Sequence, residues 1–159
     1  MKIKLLFLFL LMSVSSQAQT SFFISEVNNL VKIGKMAGNR NLAFGVKNIL
    51  EEYLQENNYL INPESEQGIK VDIIYLDMLT TSSNLSVFHK SNAQVVVRLK
   101  GYLINKNNTI IKTSTAQQSA SEISMSTLVI DTGGKLNQQN LSTAIKKSCE
   151  QLVTSLLKP

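Results

Sequence analysis

Hydrophobic residues change period several times along this chain, and the changes divide it into elements. An uncharged apolar run from Leu5 to Val14 comes first, preceded by Lys2 and Lys4 and followed by Ser16-Gln17-Ala18. A short positive region, an apolar stretch too short to span a bilayer and a small-x-small site together predict a secretory signal peptide over 1–18, cut after Ala18. Phe22 to Val27 mixes aromatic and β-branched residues and predicts a first strand. Asn28 to Asn39, broken by Gly34 and Gly38, reads as a loop. From Asn41 the spacing becomes helical: Leu42, Ala43, Val46, Ile49, Leu50, Tyr53 and Leu54 fall on one stripe. Asn39 or Asn41 is suited to cap its start and Asn57-Asn58 its end. Gly45 costs such a helix about 1 kcal/mol relative to alanine, which calls for a close packing neighbour.

The middle of the chain reads as strands. Tyr59–Asn62 is short and closed by Pro63, and Ile69–Met78 is longer, with Val71, Ile73 and Tyr75 expected on one face. Thr80–Ser91 is rich in serine and predicts a mobile loop. Val95, Val97, Leu99, Gly101 and Leu103 then alternate with Gln94, Val96, Arg98, Lys100 and Tyr102, the clearest strand pattern in the chain. Asn105-Lys106-Asn107-Asn108 predicts a tight turn, because asparagine tolerates the left-handed backbone that hairpins use. Thr109–Gln117 returns as the antiparallel partner, and Thr127–Ile130 is a further short strand before Gly133-Gly134. A second helix, Gln138–Leu157, carries Leu141, Ala144, Ile145, Cys149, Leu152, Val153 and Leu156 on one stripe. The expectation is a single α+β domain over 19–159: one mixed or antiparallel sheet of about five strands, with two amphipathic helices packed on one face.

Charge and composition narrow the function classes. The net charge of +5 includes Lys2 and Lys4, so cleavage lowers it to +3. The lysines are scattered, Arg40 and Arg98 are the only arginines, and tryptophan is absent, which argues against a nucleic-acid partner. Cys149 is alone, so no internal disulfide forms, and its place on a helical stripe reads as a small buried hydrophobe. No cysteine stands at the cleavage point to accept a lipid, and no second apolar run is long enough for a membrane span. The expected location is therefore periplasmic or secreted.

The search for chemistry gives little. Val129-Ile130-Asp131-Thr132-Gly133 spells the element of aspartic proteases, which need two such aspartates, but only a short turn and a helix follow it here. Gly34-Lys35-Met36-Ala37-Gly38-Asn39 is glycine-rich but has the wrong order for a phosphate loop. His89 is the only histidine, so it lacks metal-ligand partners, and neither Ser86 nor Ser91 beside it has an orienting acid nearby. Asp72 and Asp77 stand at odd spacing on one strand, which points them to opposite faces. No catalytic residue, cofactor or metal is expected.

The order of elements carries a resemblance. A strand ends in Glu26-Val27-Asn28-Asn29, and the helix Leu42–Leu54 follows. Val71-Asp72-Ile73-Ile74-Tyr75-Leu76, the hairpin Val95–Ile104 to Ile110–Lys112 and a terminal helix complete it. The arrangement resembles the envelope domain family that includes the CsgG-like core of the curli secretion channel, the TolB amino-terminal domain and lipoprotein activators of penicillin-binding proteins. The resemblance implies a non-catalytic periplasmic binding or assembly module whose partner is another envelope or outer-membrane protein, with homo-oligomers also in view. The chain departs from that family in lacking a lipid-bearing cysteine. It also leaves over no alternating stretch comparable to the curli channel's long hairpins. Lys112, Ser114 and Gln117 on the polar second strand of the hairpin, with Ser86 and His89 in the 80–91 segment, are the candidate partner-binding residues. The rival readings are a small hydrolase using the 80–91 segment and a carrier holding an apolar ligand between sheet and helix.

Overall fold

In a computed structural model, residues 19–34, 38–39, 41–85, 88–126 and 138–158 are described. The elements are β1 (Ser21–Asn29), α1 (Asn41–Glu56), β2 (Leu60–Ile61), β3 (Gln67–Leu85), β4 (Phe88–Asn105), β5 (Ile110–Ser126) and α2 (Gln138–Leu157). One five-stranded sheet has the order β2-β1-β3-β4-β5. β1 is parallel to both β2 and β3, while β3–β4 and β4–β5 are antiparallel hairpins. The parallel β1–β2 pair needs a crossover, and α1 supplies it. The α+β expectation holds.

α1 starts and ends as its sequence dictates. Asn39 caps α1, its Oδ1 accepting from the Asn41 N–H at 2.9 Å. At the other end Asn58 adopts φ 61°, the Tyr59 N–H reaches the Leu54 carbonyl at 2.9 Å and the Asn58 N–H reaches that of Gln55 at 3.1 Å. That is a Schellman closure with asparagine in the left-handed position. Leu42, Val46, Leu50 and Leu54 of α1 and Ala144, Ile145, Cys149, Leu152, Val153 and Leu156 of α2 are buried. They meet Ile69, Val71, Ile73 and Leu76 of β3 and Val95, Val97 and Leu99 of β4 in one core. Gly101 lies beneath α2, where a Cβ would sit 2.7 Å from Leu152 Cδ2. Gly45 has no such reason: nothing lies within 4 Å of the position a Cβ would take, so the expected packing neighbour is absent.

Three irregularities set which side chains face the helices. β1 gains a residue between Ile24 and Val27, β3 between Ile73 and Tyr75, and β5 between its Ile110 and Lys112. Each extra residue inverts the alternation downstream. Ile74 is the extra residue of β3, so Tyr75 moves away from Val71 and Ile73 to the face without helices, opposite Arg98. Asp77 moves with it. Asp72 and Asp77 therefore share that face, opposite Lys100 and Val96, and the odd-spacing expectation is corrected.

The 80–91 segment is also corrected. Thr80 to Leu85 continue β3 and Phe88 to Ser91 open β4, paired from Thr80 with Ala93 through Leu85 with Phe88. β5 accompanies them as far as Ser126, opposite His89. Serine and threonine give this stretch a loop-like polarity, but ladder hydrogen bonds to strands on both sides of β4 supply the backbone partners a loop would lack. The strands thus run well past the predicted limits Met78 and Gln117, and a long hairpin exists where none was expected. Ser86, the 127–130 strand, the Asp131 motif, the Gly133-Gly134 turn and the 1–18 leader lie outside the described residues.

Candidate functional site

The helices cover one face of the sheet; the other face carries side chains in rows fixed by the register. Phe23 stands beside Gly68, which pairs with Ile104, and Ile104 pairs with Ile110. The Phe23 ring occupies the space over Gly68, within 2.4 Å of where a Cβ would be, so any larger residue there would displace the ring. Ile104 is 2% exposed there although it lies outside the main core.

The next rows are polar. Glu26, placed by the β1 bulge, pairs with Lys70 on β3. The Lys70 hydrogen bond lowers the Glu26 pKa below the usual carboxylate range, with a smaller contribution from Asn28, and the same bond raises the Lys70 pKa. Both are solvent-exposed, so the pair contributes little stability. Asp72 differs: it is 8% exposed and central in the sheet. Its Oδ1 accepts from Asn28 Nδ2 at 3.1 Å and its Oδ2 from the Tyr102 hydroxyl at 3.0 Å. A buried carboxylate needs such donors, because losing water costs it several kcal/mol. Lys100 Nζ lies 5.2 Å from the Tyr102 ring centroid, and Arg98 lies 5.7 Å from that of Tyr75 while its Nε donates to Gln117 Oε1 at 2.7 Å. Ser25, Glu26, Lys70, Asp72, Tyr102, Ile104, Asn108 and Ile110 line an open groove of about 470 Å³ on this face.

The predicted contact residues do not form one patch. Gln117 faces the open side with Thr113, Thr115, Ser119 and Ser121, all exposed. Lys112 and Ser114 alternate to the helix side, where Lys112 Nζ donates to the Lys158 carbonyl at 2.6 Å and nearby Gln118 Nε2 donates to Gln151 Oε1 at 2.8 Å. Lys112, Ser114 and Gln117 thus share an edge strand, not a face. His89 is in β4, opposite Asn84 and Ser126, not in a loop. The Asn28–Asp72–Tyr102 network was not anticipated; its members come together only through the register of three strands.

Chemically, the two acids at the centre of the open face are both partnered. Asp72 is held by two donors and Glu26 by a lysine. Cys149 is fully buried, and burial pushes its thiol up to about 12, well outside the range of reactive cysteines. Among the described residues no group of three or more His, Cys, Asp or Glu is placed to hold a metal ion, and no helix is long and apolar enough to cross a membrane.

Among solved structures the fold is similar to that of a minor lipoprotein from Acinetobacter baumannii, with a TM-score of 0.50 and 8% identity over 87% of this chain and 91% of that one. The PelC dodecamer from Paraburkholderia phytofirmans gives 0.47 at 10% identity, covering 89% and 90%. A lipoprotein from Neisseria meningitidis gives 0.44 at 11%, covering 85% and 99%. No family model matches the chain. No curated protein matches it. What is shared with the Acinetobacter protein is the fold.

Proposed function

We propose that this chain is an exported, non-catalytic binding or assembly module of the bacterial cell envelope, and that it meets other chains through β5 and the β3–β4 hairpin. The observation that carries this reading is the edge strand β5, seventeen residues long and unpaired on its outer side among the described residues. Its backbone groups are a template for another strand, the means by which many extracytoplasmic proteins recruit partners. The signal-peptide pattern over 1–18 supports export, and the fold shared with a lipoprotein agrees with an envelope role. Lys112, Ser114 and Gln117 would then act through their place on the edge and His89 through its place in the hairpin, with Ser86 a candidate from the sequence. The resemblance to the CsgG-like and TolB amino-terminal domains belongs to this proposal, as does a mature start at Gln19.

The rivals are less well supported. The hydrolase reading needed a loop where paired strands stand. The carrier reading needed space between sheet and helices, which Val46, Leu50, Ile73, Leu99 and Leu152 fill at 0% exposure. The test is crosslinking in intact cells of the encoding bacterium, followed by mass spectrometry of the captured chains and of the amino terminus. The proposal expects a start at Gln19 and capture of another envelope protein. A chain found in the cytoplasm with its leader intact would overturn it.

A further inference from the structure

The two edges of the sheet are built differently. β2 has two residues and is followed at once by Asn62 and Pro63, so it offers almost nothing to an added strand. β5 carries its bulge and its lysine only at its start, at Ile111 and Lys112. Its one irregularity lies at Ile111, and from Lys112 its register with β4 is unbroken to Ser126. The nine residues Thr113–Ser121 contain no charge, no proline and no glycine. Sheets of monomeric proteins blunt such edges with lysine, proline or bulges. Among the described residues no backbone–backbone hydrogen bond joins this strand to anything but β4.

We infer that the occupant of this edge is a second copy of the chain, its β5 added antiparallel about a twofold axis through Gln117. The inference rests on the reading of β5 as the contact strand and names its partner. The argument is charge register. An axis at Gln117 sets each Thr113 opposite Ser121 of the other copy and each Thr115 opposite Ser119. It also sets Lys112 opposite Glu122 at both ends of the seam. Opposite charges and Thr/Ser pairs directly across two strands are stabilising, and like charges there are destabilising. Moving the axis to Ala116 or Gln118 leaves Lys112 opposite Ala120 or Ser124, and the charge pairing is lost. In-register parallel pairing sets Lys112 against Lys112 and Glu122 against Glu122. One arrangement alone pairs both charges.

The surroundings leave room for it. Thr113, Thr115, Gln117, Ser119 and Ser121 are exposed on the open face. On the helix side Gln118, Lys147, Glu150, Gln151, Thr154, Ser155 and Lys158 line a groove of about 620 Å³ that flanks β5 and carries both charge signs. The twofold axis brings two such grooves together, each able to meet the opposite charges of the other.

The test uses the full chain purified after export, with Cys149 retained because it is fully buried. Thr113→Cys and Ser121→Cys chains are prepared separately, mixed and oxidised. Opposed residues of antiparallel strands have Cα atoms about 4.5–5.5 Å apart, within disulfide reach. The inference expects a disulfide-linked dimer from the mixture and none from either variant alone, and a dimer from Gln117→Cys alone. Sedimentation equilibrium should show a dimer of the unmodified chain. Lys112→Glu should raise its dissociation constant about tenfold by setting like charges at both ends, and Lys112→Glu with Glu122→Lys should restore it. The double variant also controls for loss of the Lys112–Lys158 hydrogen bond. A monomer at all concentrations, or crosslinking of Thr113→Cys alone as strong as in the mixture, overturns self-pairing. If the chain is monomeric while Gln117 captures a different envelope protein in cells, self-pairing falls and the contact reading of β5 survives. A dimer from which neither β5 nor the β3–β4 hairpin captures another envelope protein in cells supports self-pairing and sinks the broader proposal.

Discussion

Tyr102 on β4 donates its hydroxyl proton to Asp72 Oδ2 on β3 at 3.0 Å, while Asn28 on β1 holds the other carboxylate oxygen at 3.1 Å. Three strands are thus tied together on the face that no helix covers. Its centre is a carboxylate almost fully withdrawn from water.

Removing one donor from that carboxylate should be expensive. Tyr102→Phe keeps the ring and loses the hydroxyl, and the expected destabilisation is about 1.5–3 kcal/mol, the range for a hydrogen bond to a charged group. Urea unfolding should show a lower midpoint with an unchanged slope. An unchanged midpoint would mean that Asp72 finds water or another donor.

The two glycines Gly45 and Gly101 should respond in opposite directions to alanine. Gly45 in α1 has open space where the methyl would go, so Gly45→Ala should stabilise by about 1 kcal/mol and raise Tm by roughly 3 °C. At Gly101 the methyl would meet Leu152, and Gly101→Ala should cost about 1–3 kcal/mol. Differential scanning calorimetry reads both. Equal effects would contradict the placement of α2 over β4.

Cys149 gives a pH signature. Its folded pKa is raised to about 12 by burial, above the value near 8.5 of an unfolded chain. Between these values the unfolded chain ionises and the folded one does not, so the unfolded state binds fewer protons. The resulting stability is fully present below about pH 8.5 and is lost as the pH rises towards 12. Cys149→Ala should therefore flatten the alkaline limb of the stability curve relative to the unmodified chain. Parallel curves would show that the thiol is not buried in solution.

The helices were legible because a 3.6-residue stripe is a local signal, as are the asparagines at the ends of α1: Gln138–Leu157 is the observed span of α2, and Asn39 and Asn58 cap α1. The Asn105–Asn108 turn was legible for the same reason, with Asn108 at φ 59°. What was not legible depends on neighbouring strands. A bulge at Ile74 has no residue signature, yet it moves Tyr75 and Asp77 to the other face. The Thr80–Ser91 stretch has no apolar stripe to announce a strand, and only pairing with β4 and β5 makes it one. Asn28 and Tyr102 lie 44 and 30 residues from Asp72, so their convergence follows from register, not from spacing.

The central claim is that contacts with other chains run through β5 and the β3–β4 hairpin. Its most direct measurement is a photo-crosslinking scan in intact cells, with the photoreactive residue placed singly at Thr115, Gln117 or His89, and at Lys47 on the exposed side of α1. The account predicts discrete crosslinked species from Thr115, Gln117 and His89, and none from Lys47. Crosslinks from Lys47 with silence along β5 and the hairpin would contradict it.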